Sequence, residues 1–401
     1  MSIKVMKYGG TSVGSVEKIQ NIAEIVCNRK RNGDDIVVVV SAMGKSTDHL
    51  IRMMQQISAN PCKRDMDMLV STGEQISIAL LSAAIKELGF QSISLTGQQA
   101  GIETNDMHSK ARISRVSTDV IPRHLAEGAI VVVAGFQGIT ATGDITTLGR
   151  GGSDTTAVSL AAALGGECEI YTDVDGVYTV DPRVYPNAKK LSHICYEEML
   201  EMASLGASIL ETRSVEMASK FKVPLYVALN TGEYVGTHIV ERDERMESNL
   251  ITGMSIDDNC LMITVNMLPY DTKKIAELFT KLADDNIMVD MISITAPYKN
   301  HVNISFTSKH EDLNDIMAVT KSLSVNSEEI DIDINSDLIK LSVVGVGMVT
   351  NSGVAAKMFE LFANNGIPYQ QVTTSEISIS YTINKSDKDR AVHIIANEFN
   401  L

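Results

Sequence analysis

The sequence predicts a chain in two parts. The first is an α/β region on a mostly parallel sheet with helices on both faces; the second is a pair of similar α+β units. Three observations carry this. Through residues 1 to about 240, short continuous apolar runs alternate with segments of helical periodicity. Continuous rather than alternating apolar strands are what a sheet covered on both faces requires. Two glycine-rich stretches, one at Gly9-Gly10 and one at Gly149 to Gly152, sit beside a helix start. Beyond residue 250 the chain repeats itself at an offset of 80 residues: Leu261 pairs with Leu341, Ile263 with Val343, Ala276 with Ala356, Phe279 with Phe359, Ala283 with Ala363 and Ile287 with Ile367.

In the first region the strand candidates are Ile3–Met6, Ile36–Val40, Ser92–Leu95, Ile130–Ala134, Glu169–Tyr171 and Leu225–Ala228. Helices are expected over Val16–Asn28, Asp48–Ser58, Gly73–Leu88, Asp154–Leu164, Tyr196–Leu205 and Arg213–Phe221, where apolar residues recur three and four apart. In open α/β sheets, ligands bind beyond the carboxyl ends of the strands. The glycine stretches fall there. Glycines let backbone approach a ligand, and helix N-termini attract anions, so Gly9-Gly10 beside Lys7 and Ser12 suits a phosphate. The glycine pair taken alone is equally an ordinary tight turn.

Residues 231 to 250, with Thr231-Gly232-Glu233 and the charged run Glu241-Arg242-Asp243-Glu244-Arg245, read as a linker. A solvated helix competes for the charged run. Each repeat then begins strand, helix, strand, strand. The first is Leu261–Val265, Lys273–Asn286, Met288–Ile294 and Val302–Thr307, then helix Asp312–Ser322; the second is Ile339–Val344, Val354–Asn365, Tyr369–Thr374 and Ile377–Ile383, then helix Lys388–Phe399. The second repeat ends in its helix and lacks a closing strand; Leu250–Ile256, ahead of the first repeat, is the candidate to supply it.

Lys plus Arg number 35 against 50 Asp plus Glu, a formal net charge of −15. So acidic a chain argues against nucleic acid and anionic membranes as partners. Cys27, Cys62, Cys168, Cys195 and Cys260 show no metal-ligand spacing and are expected to be reduced thiols in a cytoplasmic protein, Cys27 as a packing residue. No metal site of protein side chains is expected. The chain enters a strand at once, so no signal peptide is expected, and its longest apolar runs are strand-sized.

Lys7-Tyr8-Gly9-Gly10-Thr11-Ser12 resembles the opening signature of aspartate kinases, in the amino-acid kinase superfamily. The resemblance continues in order through Ser41-Ala42-Met43-Gly44, Ser71-Thr72-Gly73-Glu74, Gly135-Phe136-Gln137-Gly138, Leu148-Gly149-Arg150-Gly151-Gly152-Ser153-Asp154, Tyr171 to Thr179 and Asp181-Pro182-Arg183. The repeat resembles a pair of ACT domains, ferredoxin-like βαββαβ modules. The resemblance implies an amino-acid kinase catalytic domain over 1–240 and regulatory ACT domains over 241–335 and 336–401. It also implies ATP-dependent phosphorylation of the aspartate side chain to 4-phospho-L-aspartate, with Mg²⁺ carried on the nucleotide.

A carboxylate nucleophile is already ionised, so catalysis reduces to positioning and charge neutralisation. The resemblance assigns Lys7 to the transferring phosphoryl group and Asp154 to orienting Lys7, although a first-turn acid also favours a helix dipole. It gives Glu74 to the substrate ammonium and Arg150, through its planar fork, to a substrate carboxylate, with Ser41, Thr47 and Ser153 as further substrate contacts. Gly9, Gly10, Ser12, Thr172, Asp173, Tyr178, Asp181 and Arg183 are expected at the nucleotide. Tyr8 stands where many relatives have Phe, Ser208 where many have a basic residue, and Glu211-Thr212 where a His-Pro pair is common; Ala228-Leu229-Asn230 departs from a more basic pattern.

ACT pairs in relatives bind a pathway end product between modules, which points to feedback by lysine, with threonine second, and to a dimer or tetramer. Asp290 is expected to take an effector ammonium. The loop Met267 to Asp271 and the helix after it are expected to present N–H groups to its carboxylate, and Ser352, Thr374, Ser375 and Glu376 hold matching places. Two other readings stay open here: a kinase for glutamate, acetylglutamate, carbamate or UMP, and an amino-acid sensor on an inactive kinase fold.

Overall fold

A computed structural model describes residues 2–207, 209–242, 250–321, 331–351 and 353–401. It divides into two compact units. One comprises Met1–Tyr178, Lys190–Ala203 and Ser208–Met246; the other comprises Thr179–Lys189, Ser204–Ala207 and Glu247–Leu401. Two stretches inside 1–240 therefore group with the C-terminal unit.

The first unit is built on an eight-stranded sheet. Its order is His193–Cys195, Thr237–Val240, Leu225–Leu229, Glu167–Thr172, Ile3–Tyr8, Asp35–Val40, Ile130–Ala134 and Ser92–Leu95. Six of these run parallel; Thr237–Val240 lies antiparallel to Leu225–Leu229. Ile36 to Val40 are all fully buried, as a strand covered on both faces demands. Alternate residues Met6, Tyr8, Ile36, Val38 and Val40 pack on Ile19, Ile22 and Val26 of helix Val16–Arg31 and on Ile78, Leu81 and Ile85 of helix Thr72–Glu87. Cys27 is buried in the same core. Lys7 points to the other face, where helix Gly152–Leu164 crosses.

Several expectations shift. The first strand runs on to Tyr8 because Lys7 and Tyr8 pair with Val39 and Val40 on one side and Ile170 and Tyr171 on the other. The helix after the glycine pair starts only at Val16, capped by Ser15, so the donors near Gly9 come from a turn. The expected linker begins too early: Thr237–Val240 is a sheet strand whose Thr237 hydroxyl ties it to Val177 and Leu191. Asp243 to Arg245 lie outside the described residues. Helices Lys63–Val70 and Val120–Ala126 and a four-stranded sheet (Ile113–Val116, Ile102–Thr104, Gln137–Thr140, Ile145–Thr147) are additional to the expected elements; helices of about two turns and strands of three or four residues are too short to register a period. The helical run Lys63–Glu87 is long and apolar enough to cross a bilayer by length and composition, contrary to expectation. It is a core element here, with Asp67, Glu74, Ile78 and Leu81 buried.

The second unit is one six-stranded antiparallel sheet, ordered Asp290–Ile294, His301–Ser308, Gly253–Pro269, Asp331–Val344, Ser378–Asn384 and Tyr369–Thr374. The two central strands are long, and each serves both repeats. Leu261 to Val265 open the first repeat, whereas Gly253 to Asp257 pair with Val344 to Lys340 of the second. Asp331 to Asn335 in turn close the first repeat on Asn266 to Met262. Met254 sits in the core of the second repeat with Ile339, Leu341, Phe362 and Ile395. The segment ahead of the first repeat thus supplies the strand that the second lacks, and each repeat completes a ferredoxin-like fold through the other's strand.

Candidate active site

The site begins with the strand Ile3–Tyr8, which carries Lys7, and the helix Gly152–Leu164, which carries Asp154 in its first turn. Lys7 Nζ lies 2.5 Å from Asp154 Oδ1, and each side chain is only 11% exposed. Around the pair is a cavity of about 310 Å³. Its walls include Gly9, Gly10, Ser41, Thr47, Glu74 and residues 149 to 154.

Three pieces of chain meet here for steric reasons. A Cβ on Gly10 would sit 2.8 Å from the Ala42 carbonyl oxygen, and the Gly10 carbonyl accepts the Gly44 N–H at 2.9 Å, so the glycine turn locks onto the loop Ser41 to Gly44. Ser41 Oγ donates to Ser153 Oγ at 3.0 Å, joining that loop to the second glycine stretch. Helix Thr72–Glu87 brings Glu74 underneath. One Glu74 oxygen accepts the Ala42 N–H at 3.0 Å, while the other is buried with no hydrogen-bond partner among the described residues. Burial pushes the Glu74 carboxyl up to about 7, against backbone hydrogen bonds, including that from Ala42, which pull it down. A buried, unpaired carboxylate oxygen facing a cavity is set to receive a cation.

The second glycine stretch is held from behind. Arg213 donates to the carbonyls of Leu148 and Ala111, each at 3.0 Å. Asp67, fully buried, accepts from the Ser109 N–H, from Thr147 Oγ1 at 2.6 Å, and stands 2.9 Å from His108 Nδ1. Sequence reasoning missed Asp67, and it gave no role to Phe136, which lines the cavity with a φ of 71°. The available signal was the aromatic set in the glycine-flanked motif Gly135-Phe136-Gln137-Gly138; its positive φ is visible only in the structure.

Of the expected nucleotide residues, Lys7, Gly9 and Gly10 line the cavity and the others lie outside its lining. Ser12 is buried and accepts from Asn230 Nδ2 at 2.9 Å, so Asn230, noted only as a departure, anchors the glycine turn. Thr172 bonds Asp173, and the Tyr178 hydroxyl donates to Asp175. None of these lines the cavity. Asp181 and Arg183 belong to the second unit and pair with each other. The resulting charge-assisted bonds from Arg183 hold Asp181 below the usual carboxylate range despite the opposing effect of burial. Ser208 lies outside the described residues.

Among the described residues, the effector candidates do not form one cluster within a chain. Asp290 pairs opposite Thr307, whereas Leu268 and Pro269 pair with Val302 and His301. Five residues along that strand is about 17 Å, so Asp290 and the Met267 to Asp271 loop stand at opposite ends of it. Asp271 caps its own helix by accepting the Lys273 N–H, which fills the donor expected for an effector. Met267, exposed, donates its N–H to Asn303. Asp290 is already ion-paired to Lys340, itself buried; burial works to raise the Asp290 carboxyl, and Lys340 with the Met291 N–H more than offsets that and lowers it. Thr374 ends a strand, Ser375 closes the turn to Ser378, and Glu376 is exposed. Ser352 lies outside the described residues.

Comparison with known proteins decides the identity. The amino acid kinase family model matches residues 2–229, and an ACT domain model matches 341–399. An aspartokinase of Bacillus sp. (strain MGA3) is 49% identical over 403 residues, covering 100% of this chain and 98% of that protein. The chain belongs to the aspartokinase family. It is an aspartate kinase with ACT-type regulation. Its fold matches E. coli aspartokinase III solved with aspartate and ADP, at a TM-score of 0.79 and 24% identity over 98% of this chain and 99% of that one. The same E. coli protein solved with lysine and aspartate matches at 0.80 and 24% over 99% of each chain.

Proposed function

We propose that this aspartate kinase transfers the γ-phosphoryl group of ATP to the side-chain carboxylate of L-aspartate, yielding 4-phospho-L-aspartate. Transfer of this kind activates a carboxylate at the head of a biosynthetic route to lysine, threonine and methionine. The observation that carries the reading is a single cavity holding the Lys7–Asp154 pair beside an unpartnered Glu74 oxygen. The nucleophile needs no general base. Lys7 neutralises charge on the transferring phosphoryl oxygens, and Asp154 keeps its ammonium aimed there. The N–H groups of the Gly9-Gly10 turn and of the helix opened by Gly152 meet further phosphate oxygens. Glu74 takes the substrate ammonium and Arg150 a substrate carboxylate. Asp154 is paired with Lys7 and Glu74 is given to the substrate ammonium, so Mg²⁺ is taken to enter with the nucleotide.

Lysine is the proposed effector, with threonine second. The ACT pair and the lysine-bound E. coli relative support a lysine site. Lys340 already occupies Asp290, so an effector ammonium there would have to displace a lysine of the same kind. We place the enzyme in the cytoplasm as a dimer or tetramer. An ATP-dependent hydroxamate assay tests the whole reading. Product with aspartate but not with glutamate or acetylglutamate, reduced by lysine, is expected; no product with aspartate would reject it.

A further inference from the structure

Arg150 is assigned a substrate carboxylate, yet it already holds a carboxylate of its own chain. Its Nε donates to Glu211 Oε1 at 3.2 Å, and its side chain is 90% exposed, turned to solvent from the cavity rim. Glu211 is no chance surface partner. It occupies the N-cap position of helix Thr212–Phe221, and among the described residues its side chain makes no capping bond to that helix. It reaches instead across the glycine turn. A Cβ on Gly151 would fall 1.9 Å from Glu211 Cγ and 2.8 Å from its Cδ, so only a glycine at 151, with a φ of 65°, leaves room for it. The turn that bears Arg150 and the helix that bears Glu211 are therefore shaped to each other.

We infer that Glu211 is an affinity-setting residue for aspartate: an internal carboxylate that holds Arg150 outward and that the substrate carboxylate must displace. The proposal rests on the assignment of Arg150 to that carboxylate. An exposed ion pair is weak, which is what an exchangeable occupant requires. Arg150 then stays ordered between turnovers, and the exchange of one carboxylate for another sets how much aspartate is needed.

The test uses the full chain, varying aspartate at saturating ATP and the reverse. Glu211→Gln keeps the side-chain shape against Gly151 and removes the charge. It is expected to lower the KM for aspartate about two- to fivefold, the range of an exposed ion pair, with kcat and the KM for ATP unmoved. Calorimetric titration with aspartate alone should give the same ratio. Glu211→Asp, one methylene shorter, should shift it in the same direction but less. In an Arg150→Ala background the Glu211→Gln shift should vanish. A rise in the aspartate KM for Glu211→Gln would overturn the proposal, since Glu211 would then be positioning Arg150 for substrate. No change, or a shift that survives Arg150→Ala, would overturn it too. Arg150→Ala with an unaltered aspartate KM would instead remove the parent assignment of Arg150, and the proposal with it.

Discussion

Lys7 and Asp154 are nearly buried and depend on each other, so a single substitution confuses stability with catalysis. Lys7→Met leaves Asp154 as an uncompensated charge and is expected to cost about 3 kcal/mol of stability. Adding Asp154→Asn should restore most of the melting temperature while turnover stays lost. Recovery of turnover in the double variant would remove Lys7 from the chemistry. Glu74 gives a pH dependence. Its ionised form is the one that pairs an ammonium, and with a carboxyl near 7 the aspartate KM should rise as pH falls below about 7. The stability effect has the opposite sense. A carboxyl raised from 4.5 to about 7 holds its proton more tightly folded than unfolded, so stability falls as pH rises between those values. Glu74→Gln should therefore raise the melting temperature at pH 8, by up to about 3 kcal/mol in free energy, while weakening aspartate binding. Denaturation at pH 4 and pH 8 beside aspartate titrations checks both signs.

At the scale of elements, the glycine turn after the first strand works because it touches the next loop. Gly10→Ala places a methyl against the Ala42 carbonyl, forcing a shift in the loop that also delivers Ser41 and the Ala42 N–H to Glu74. The expected result is a loss of about 1–3 kcal/mol in stability with a fall in kcat/KM for aspartate as well as for ATP. A fall for ATP with kcat/KM for aspartate unchanged would count against that coupling. The glycine motif was legible because Lys7 to Ser12 match the opening signature of aspartate kinases. Its partner surface was not, since Ala42 contributes only backbone, which carries no residue-type signal. Asp67 and Arg213 escaped for a related reason: they act through the carbonyl and N–H groups of other segments.

At the scale of the whole molecule, the repeats share strands instead of standing side by side as independent modules. Residues 336–401 alone lack the closing strand Gly253 to Asp257 and should not fold, whereas 250–401 should unfold in one cooperative transition. Circular dichroism and urea titration of both fragments test this; a folded 336–401 fragment would show that the shared strand is dispensable. The offset of 80 residues was plain in the apolar pattern, and so was the missing strand.

Periodicity and glycine placement were enough to establish the fold class and the repeat, because these features are local or recur at fixed spacings and so survive in one dimension. The grouping of Lys7, Glu74, Arg150 and Asp154 came from the resemblance of the ordered motifs to aspartate kinases, and the structure sets all four around one cavity. Only tertiary structure decided that Arg150 rests on Glu211, that Asp290 is taken by Lys340, and that Asp290 stands a strand's length from the Met267 to Asp271 loop. Each of those is a pairing between segments distant in the chain. Charge partners at such separations are chosen by sheet register and helix placement, which no single stretch of sequence encodes.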